Sequence, residues 1–526
     1  MVIEPMIAAK RGGRVRKRRV AVIGAGIGGM VGALLLAARG FDVTVLESAA
    51  TPGGKLRQIA IGSSRIDAGP TVLTMRWAFD EIFEEAGASF AERVAIAPLP
   101  ILARHAWSDG SQLDLHADID QSAEAIGRFA GRREAEGFRA FSQRARAIYK
   151  TLETPFLRGS RPNLFSLTAR VGLSRISELW RISPFATLDG ALGQHFRDPR
   201  LRQLFGRYAT YCGSSPFLAP ATLMLIAHVE QCGVWTLEGG MFRLAEALAD
   251  LARERGAAIH YGKRVTRILV EKGRACGVVA EDGERFTADA VLFNGDCAAL
   301  AARTIGPEAA KAAAETQRSP DSLSAVTWAM VGRPEGFDLS RHNVFFSDDY
   351  RAEFDELLRD VKLPREPTIY VCAQDRTGAS QTSEASESLF CLVNAPPVGG
   401  QHRLSAKEID ACERATFLRL ERMGLTIRPG PSGATRAGPD DFEAMFPATR
   451  GALYGPASHG WRASFARPGS RTHLPGLYLA GGSVHPGPGA PMAALSGRLA
   501  AARIAADLTS RFQSVRGATL GGMSTR

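Results

Sequence analysis

The stretch Arg19-Val20-Ala21-Val22-Ile23-Gly24-Ala25-Gly26-Ile27-Gly28-Gly29 constrains this chain more than any other. The apolar residues from Val20 to Ile23 read as a buried strand, and the glycines open a run of small apolar residues suited to a packed helix. A second strand, residues 41–46, runs into Glu47. Strand, glycine turn, helix, strand and acid in this order make a dinucleotide cradle. Gly24 permits the tight turn, Gly26 lets the backbone approach a pyrophosphate, and Gly29 lets helix and strand pack closely. Glu47 falls where a carboxylate reaches a ribose hydroxyl. A plain strand-to-helix turn leaves that acid unexplained.

Two further glycine turns follow, Thr51-Pro52-Gly53-Gly54-Lys55 and Ile66-Asp67-Ala68-Gly69-Pro70-Thr71. A buried flavin needs peptide N–H groups and a cation along its length, whereas a nicotinamide shuttle keeps one half-site open. The extra glycines and Lys55 suit the flavin; two ordinary surface turns are the plain alternative. Far along the chain, Leu477-Tyr478-Leu479-Ala480-Gly481-Gly482 reads as a third buried strand ending in glycines. Ser483-Val484-His485-Pro486-Gly487-Pro488-Gly489-Ala490-Pro491 then leads into an apolar helix from Met492. Pro491 suits a first helical turn, and the helix N-terminus favours negative charge on whatever ring it faces.

Length and composition set bounds. At 526 residues with 45% apolar content, the chain exceeds a single core and predicts two domains. Seven cysteines without a Cys-x2-Cys pair, and ten histidines without ligand spacing, indicate neither a redox dithiol nor a metal. Much of the net charge of +11 lies in residues 10–19, a basic arm suited to an anionic bilayer rather than to nucleic acid. No run of roughly 20 apolar residues occurs, so no spanning helix is expected.

The order of these motifs resembles the flavin amine-oxidoreductase superfamily, and within it the bacterial phytoene-desaturase-like carotenoid desaturases. The segment from Gly481 to Ala493 is most similar to the branch acting on 1-hydroxycarotenoids, the 3,4-desaturases. Leu237-Glu238-Gly239-Gly240-Met241 and Phe293-Asn294-Gly295-Asp296 agree with it. The resemblance implies an α/β, Rossmann-like FAD-binding fold that is discontinuous, with a second α+β substrate domain and a helical membrane-facing part. It implies FAD as cofactor. Gly24, Gly26, Ile27, Gly28 and Gly29 would hold the pyrophosphate, Glu47 the ribose, and Gly54 and Lys55 the phosphate and ribityl region. Gly69, Pro70 and Thr71 would hold the ring, Val265 the adenine, and Gly481, Gly482 and Met492 the closing turn and helix. Many relatives carry Arg at Lys55, so a two-pronged contact becomes a point charge here.

On this reading the cofactor domain comprises residues 17–105, 235–300 and 440–508, and the substrate domain 106–234 and 301–439. Residues 1–16 and 509–526 are expected to be loose tails. Short strands at 258–261, 265–270, 275–280 and 290–293 suggest a β-meander on the nucleotide sheet. Arginines 158, 161, 170, 175 and 181, interleaved with Leu, Phe and Trp, suggest an interfacial helix or an ordinary amphipathic one. Residues 216–228 could line a tunnel or fill a core.

The implied activity is desaturation of a C40 carotenoid, with hydride transfer to flavin N5 and loss of a proton. The implied partners are a membrane surface, reached peripherally from the cytoplasm, and an electron acceptor such as a quinone or oxygen. No catalytic residue is assigned: Asp67 and His485, in turns near the ring, are candidate bases, and each also suits a turn-stabilising role. Phytoene desaturation and carotene isomerisation stay open, as does a flavin-free prenyl-binding chaperone.

Overall fold

The computed structural model describes residues 17–162, 185–313, 320–377, 386–398 and 403–517, with only the backbone of residues 464 and 511–517. Its nucleotide side is a five-stranded sheet in the order Leu477–Leu479, Ala290–Phe293, Arg19–Ile23, Asp42–Leu46, Ala258–His260. Every pairing is parallel. Both faces of the inner strands are covered, which is why residues 20–23 and 290–293 read as unbroken apolar runs. On one face lie the helices Ile27–Ala38, Phe242–Glu254 and Ala490–Gly517, sharing a core with Val20, Val22, Val43 and Val45. On the other, a three-stranded antiparallel sheet, Val265–Glu271, Arg274–Ala280 and Arg285–Thr287, packs against Ala21, Ile23 and Phe293.

The expected meander is therefore corrected. Residues 258–260 and 290–293 join the parallel sheet as separate strands, and only the intervening hairpins form the antiparallel layer. The helix Ile27–Ala38 is buried along almost its whole length, because small residues let its neighbours approach. A methyl at Gly497 would lie 2.2 Å from the Gly28 carbonyl, where the helix Ala490–Gly517 crosses.

A seven-stranded sheet forms the second body, in the order Thr426–Ala437, Ser324–Glu335, Glu387–Ala395, Ile369–Ala373, His342–Phe345, Ile101–Ala106, Gln112–His116. Ile101–Ala106 pairs with His342–Phe345, so this strand goes with the second sheet rather than with the segment expected to end at 105. A helical lobe includes Ile119–Ala130, Arg132–Leu152, Pro199–Gly206 and Leu225–Gln231. Asp118 caps the first of these through the Gln121 amide, and Asp198 followed by Pro199 starts the third. In Arg132–Leu152 the buried Phe138, Phe141, Ala145, Ile148 and Leu152 recur at helical spacing against Phe196 and Phe205.

One more expectation is corrected. The helix begun at Ala490 continues to Gly517, past the expected loose tail at 509, with Thr509 and Ser510 hydroxyls bonding back to the Ala505 and Asp507 carbonyls. Arg158 pairs with Glu81 and Glu153 and lies 3.8 Å over the Trp77 ring, while Arg161 donates to the Phe465 carbonyl. These two arginines serve contacts inside the protein because carboxylates and carbonyls face them. Arg170, Arg175 and Arg181 of the same expected helix lie outside the described residues, as do residues 1–16. Among the described residues no helix is long and apolar enough to cross a membrane.

Candidate functional site

One cavity of about 1090 Å³ joins the glycine turns at the carboxyl ends of the parallel strands to an apolar chamber between the helical lobe and the seven-stranded sheet. It opens beside the strands Arg19–Ile23 and Ala290–Phe293, where the strand order reverses and doubly wound folds bind their ligands.

The cradle is built around Asn294. Its amide N–H donates to the Ile23 carbonyl, and its side chain fills the space that missing side chains leave. A methyl at Gly26 would lie 2.6 Å from Asn294 Nδ2, and one at Gly28 would lie 2.7 Å from Oδ1 and 2.8 Å from the Gly481 amide. Gly24 has φ +94°, which bulkier residues rarely adopt. A methyl at Gly29 would meet the Gly24 carbonyl at 2.2 Å, so Gly29 packs the turn from behind while the others line the cavity.

Glu47 is buried at the next strand end. Its Oε2 accepts the Ala25 amide at 2.6 Å, and its Oε1 accepts the Ala49 amide at 2.8 Å and the Ser48 hydroxyl at 3.2 Å. The carboxylate is thus oriented, with lone pairs left for ribose hydroxyls. Gly54 reaches Gly26 across the turn. Lys55 Nζ donates to the Leu453 carbonyl at 2.6 Å and stands 5.3 Å from the Phe446 ring centroid. Burial pushes its pKa down; nearby Asp296 opposes this and Arg467 adds to it.

Gly69, Pro70 and Thr71 line the same cavity, as do Val265, Gly481, Gly482 and Met492. Thr71 Oγ1 bonds the Tyr370 hydroxyl at 2.7 Å, and that hydroxyl bonds His342 Nδ1 at 2.7 Å. Burial, with Arg341 and Arg207 nearby, drives the His342 pKa down to about 3, so the ring is neutral. These residues fit an extended dinucleotide. The cradle is one that Cβ atoms would fill, and the buried Asn294 Oδ1 has no hydrogen-bond partner.

The two candidate bases are not brought to the cavity lining. Asp67 accepts the Met241 and Phe242 amides at 2.5 and 3.2 Å, binding the start of the helix Phe242–Glu254. A methyl at Gly240 would lie 2.5 Å from that carboxylate, which accounts for the second glycine of the Gly239-Gly240 pair. Burial raises the Asp67 pKa against these hydrogen bonds. His485 Nε2 donates to the Phe156 and Gly159 carbonyls at 2.9 and 3.0 Å, and its ring packs edge-on against Phe156. In residues 216–228 both expected roles occur: Thr222, Leu223, Leu225 and Ile226 face the cavity, while Ala219, Ala221, Met224 and Ala227 enter the core.

Sequence reasoning missed several lining residues. Arg467 donates to the Tyr454, Pro456 and Gly482 carbonyls and fixes the closing turn, with no local motif to mark it. Tyr370 shows no signal in its strand. Arg207 and Tyr211 carried one, a four-residue helical spacing, but Glu230, which joins them, did not.

Residues 27–505 match the family model for flavin containing amine oxidoreductases. The chain is 53% identical to the hydroxyneurosporene desaturase of Rubrivivax gelatinosus over 97% of its own length and 98% of the relative's. It is 45% identical to the hydroxyneurosporene desaturase of Cereibacter sphaeroides over 94% and 98%. Among solved structures, an oxidoreductase from Methanosarcina mazei superposes with a TM-score of 0.58 at 15% identity, covering 91% of this chain and 99% of that one; at that identity it bears on the fold alone. The chain belongs to the flavin-containing amine oxidoreductases. Within that class it is an FAD-dependent oxidoreductase of the bacterial carotenoid-desaturase type.

Proposed function

We propose that this protein desaturates the C3–C4 bond of 1-hydroxycarotenoids such as 1-hydroxyneurosporene or its methoxy form. The observation that carries the reading is a single cavity running from a dinucleotide cradle into a chamber walled by Phe156, Leu223, Ile226, Phe390 and Leu392. A soluble amine needs no such wall; a long polyene does. The strong likeness to hydroxyneurosporene desaturases supports the substrate class.

In this reading, Gly24, Gly26, Ile27, Gly28, Gly29 and Glu47 hold the pyrophosphate and ribose, Lys55 and Gly54 the middle, and Gly69 to Thr71 with Gly481, Gly482 and Met492 the ring. Bound FAD supplies the hydride acceptor. The chamber aligns the reacting carbons and excludes water, which supplies much of the rate through positioning. Positive charge at the allylic carbon spreads along the polyene, and the second hydrogen leaves as a proton. A quinone or oxygen takes up the electrons.

The protein draws its substrate from a membrane surface without spanning it, since a C40 polyene has no aqueous pool. Phe185, 63% exposed and edge-on to Trp461 at the cavity, supports an entrance on that side. Purified flavin-loaded protein in lipid vesicles, given 1-hydroxyneurosporene and an acceptor, should yield a product two hydrogens lighter with red-shifted absorption. A product of unchanged mass, or desaturation of phytoene alone, overturns the assignment.

A further inference from the structure

The apolar chamber contains one group of side chains that a hydrocarbon does not need. Arg207 and Glu230 line it although they are 5% and 3% exposed. Tyr211, also in the lining, donates to Glu230 Oε1 at 2.6 Å and accepts from Arg207 Nη1 at 2.5 Å. Tyr208 donates to Glu230 Oε2 at 2.7 Å, and Arg207 Nη2 stands 3.7 Å from the same oxygen. The carboxylate is therefore committed to two phenols. Arg207 Nε and Nη2 are left without hydrogen-bond partners, and the Tyr211 oxygen keeps a free lone pair.

Placing a charged pair beside a hydrocarbon channel is unfavourable unless its remaining hydrogen bonds are met. We propose that Arg207, Tyr211 and Glu230 form the subsite that reads the oxygen at the end of the polyene. An alcohol accepts from the guanidinium and donates to the Tyr211 oxygen; a methyl ether accepts only. Glu230 balances the guanidinium, so the charge developing on the allylic carbon does not face a lone cation.

The position agrees with the chemistry. Tyr211 and Tyr370 line the same cavity, and the Tyr370 hydroxyl bonds Thr71 in the turn assigned to the flavin ring. In a 1-hydroxycarotenoid a single methylene, C2, separates the oxygen-bearing carbon from the C3–C4 bond. Oxygen subsite and ring must therefore open on one cavity, as Arg207, Tyr211 and Glu230 do with Gly69, Pro70 and Thr71.

This inference rests on the hydroxycarotenoid reading, and its test separates the two. The ratio of kcat/KM for 1-hydroxyneurosporene to that for neurosporene is measured in flavin-loaded wild type, in Tyr211→Phe and in the paired Arg207→Met, Glu230→Gln variant. The ratio should favour the hydroxylated chain in wild type, fall about tenfold or more in the paired variant, as loss of a hydrogen bond to a charged group predicts, and fall roughly threefold or more in Tyr211→Phe, which loses a neutral one. A wild type indifferent to the hydroxyl overturns both readings. A wild-type preference that survives in the variants overturns the subsite and leaves the substrate assignment standing. Should the variants fail to retain flavin, wild type alone decides: a saturated chain ending in a tertiary alcohol must compete better than the alkane of equal length, and equal competition overturns the subsite.

Discussion

The cradle and the chamber line one cavity, yet they are made by opposite means. From Gly24 to Gly29 the cradle works by absent side chains: at Gly26, Gly28 and Gly29 the Asn294 amide and neighbouring backbone stand at distances no methyl tolerates. The chamber works by side chains that are present, brought from residues 207–230 of the helical lobe and 327–394 of the sheet. A backbone cradle has no rotamer with which to repair a mistake, whereas a wall of side chains accommodates exchange of one for another. A fold of this class can therefore keep its cofactor while the wall is rebuilt for another substrate.

The sharpest break of this contrast is Gly29→Val. Its Cβ would fall 2.2 Å from the Gly24 carbonyl and 3.0 Å from Asn294 Cβ, and the carbonyl belongs to a turn fixed at positive φ. Overpacking at such a site costs about 1–3 kcal/mol. The purified variant should be colourless, as absorbance spectroscopy shows, while polyene-wall substitutions of similar volume stay yellow. A yellow Gly29→Val protein removes the distinction between the two regions.

The wall should instead show itself through pH. Glu353, buried behind the lining residues Thr368 and Asn394, accepts the Thr368 hydroxyl at 2.6 Å. Burial raises its pKa from 4.5 to about 7 against the opposing effects of Thr368, Arg419 and Asn394. The folded state then holds this proton more tightly than the unfolded chain. Its contribution is fully present below about pH 4.5, is lost as pH rises to about 7, and is flat above; the loss amounts to about 3 kcal/mol. Glu353→Gln should flatten that part of the stability profile measured by urea unfolding. An identical slope in variant and wild type refutes the assignment.

This division also explains what the chain disclosed before folding. Gly24, Gly26, Gly29 and Glu47 are contiguous or one strand apart, so turn chemistry marks them locally. Asn294 was visible only as part of a motif, because its role depends on the strand Ala290–Phe293 pairing in parallel with Arg19–Ile23. Residues 258–260 and 265–271 read alike as short strands, and only long-range pairing sends them to different sheets. Glu230 and Tyr370 carry no local mark, and the four-residue spacing of Arg207 and Tyr211 does not point to either. Their meaning arises where helical lobe and sheet meet. The partners of Arg158 were hidden for the same reason: its amphipathic setting was visible, but Glu81 and Trp77 are not adjacent to it in sequence.

Asp67 supplies the mildest test, because it sits in a cradle turn but points away from the cavity. If it acts only on the helix Phe242–Glu254, Asp67→Ala leaves the Met241 and Phe242 amides without their acceptor. Loss of such a cap costs about 1–2 kcal/mol. Desolvation raises the Asp67 pKa, so its proton linkage has the same sign as that of Glu353, with stability falling as pH rises above 3.8. A methyl in its place removes that slope as well as the cap. Flavin content should fall only as far as the fold loosens, and turnover per bound flavin should hold. A collapse of turnover at full flavin occupancy would instead make the carboxylate a base and place chemistry on the cradle side of the cavity.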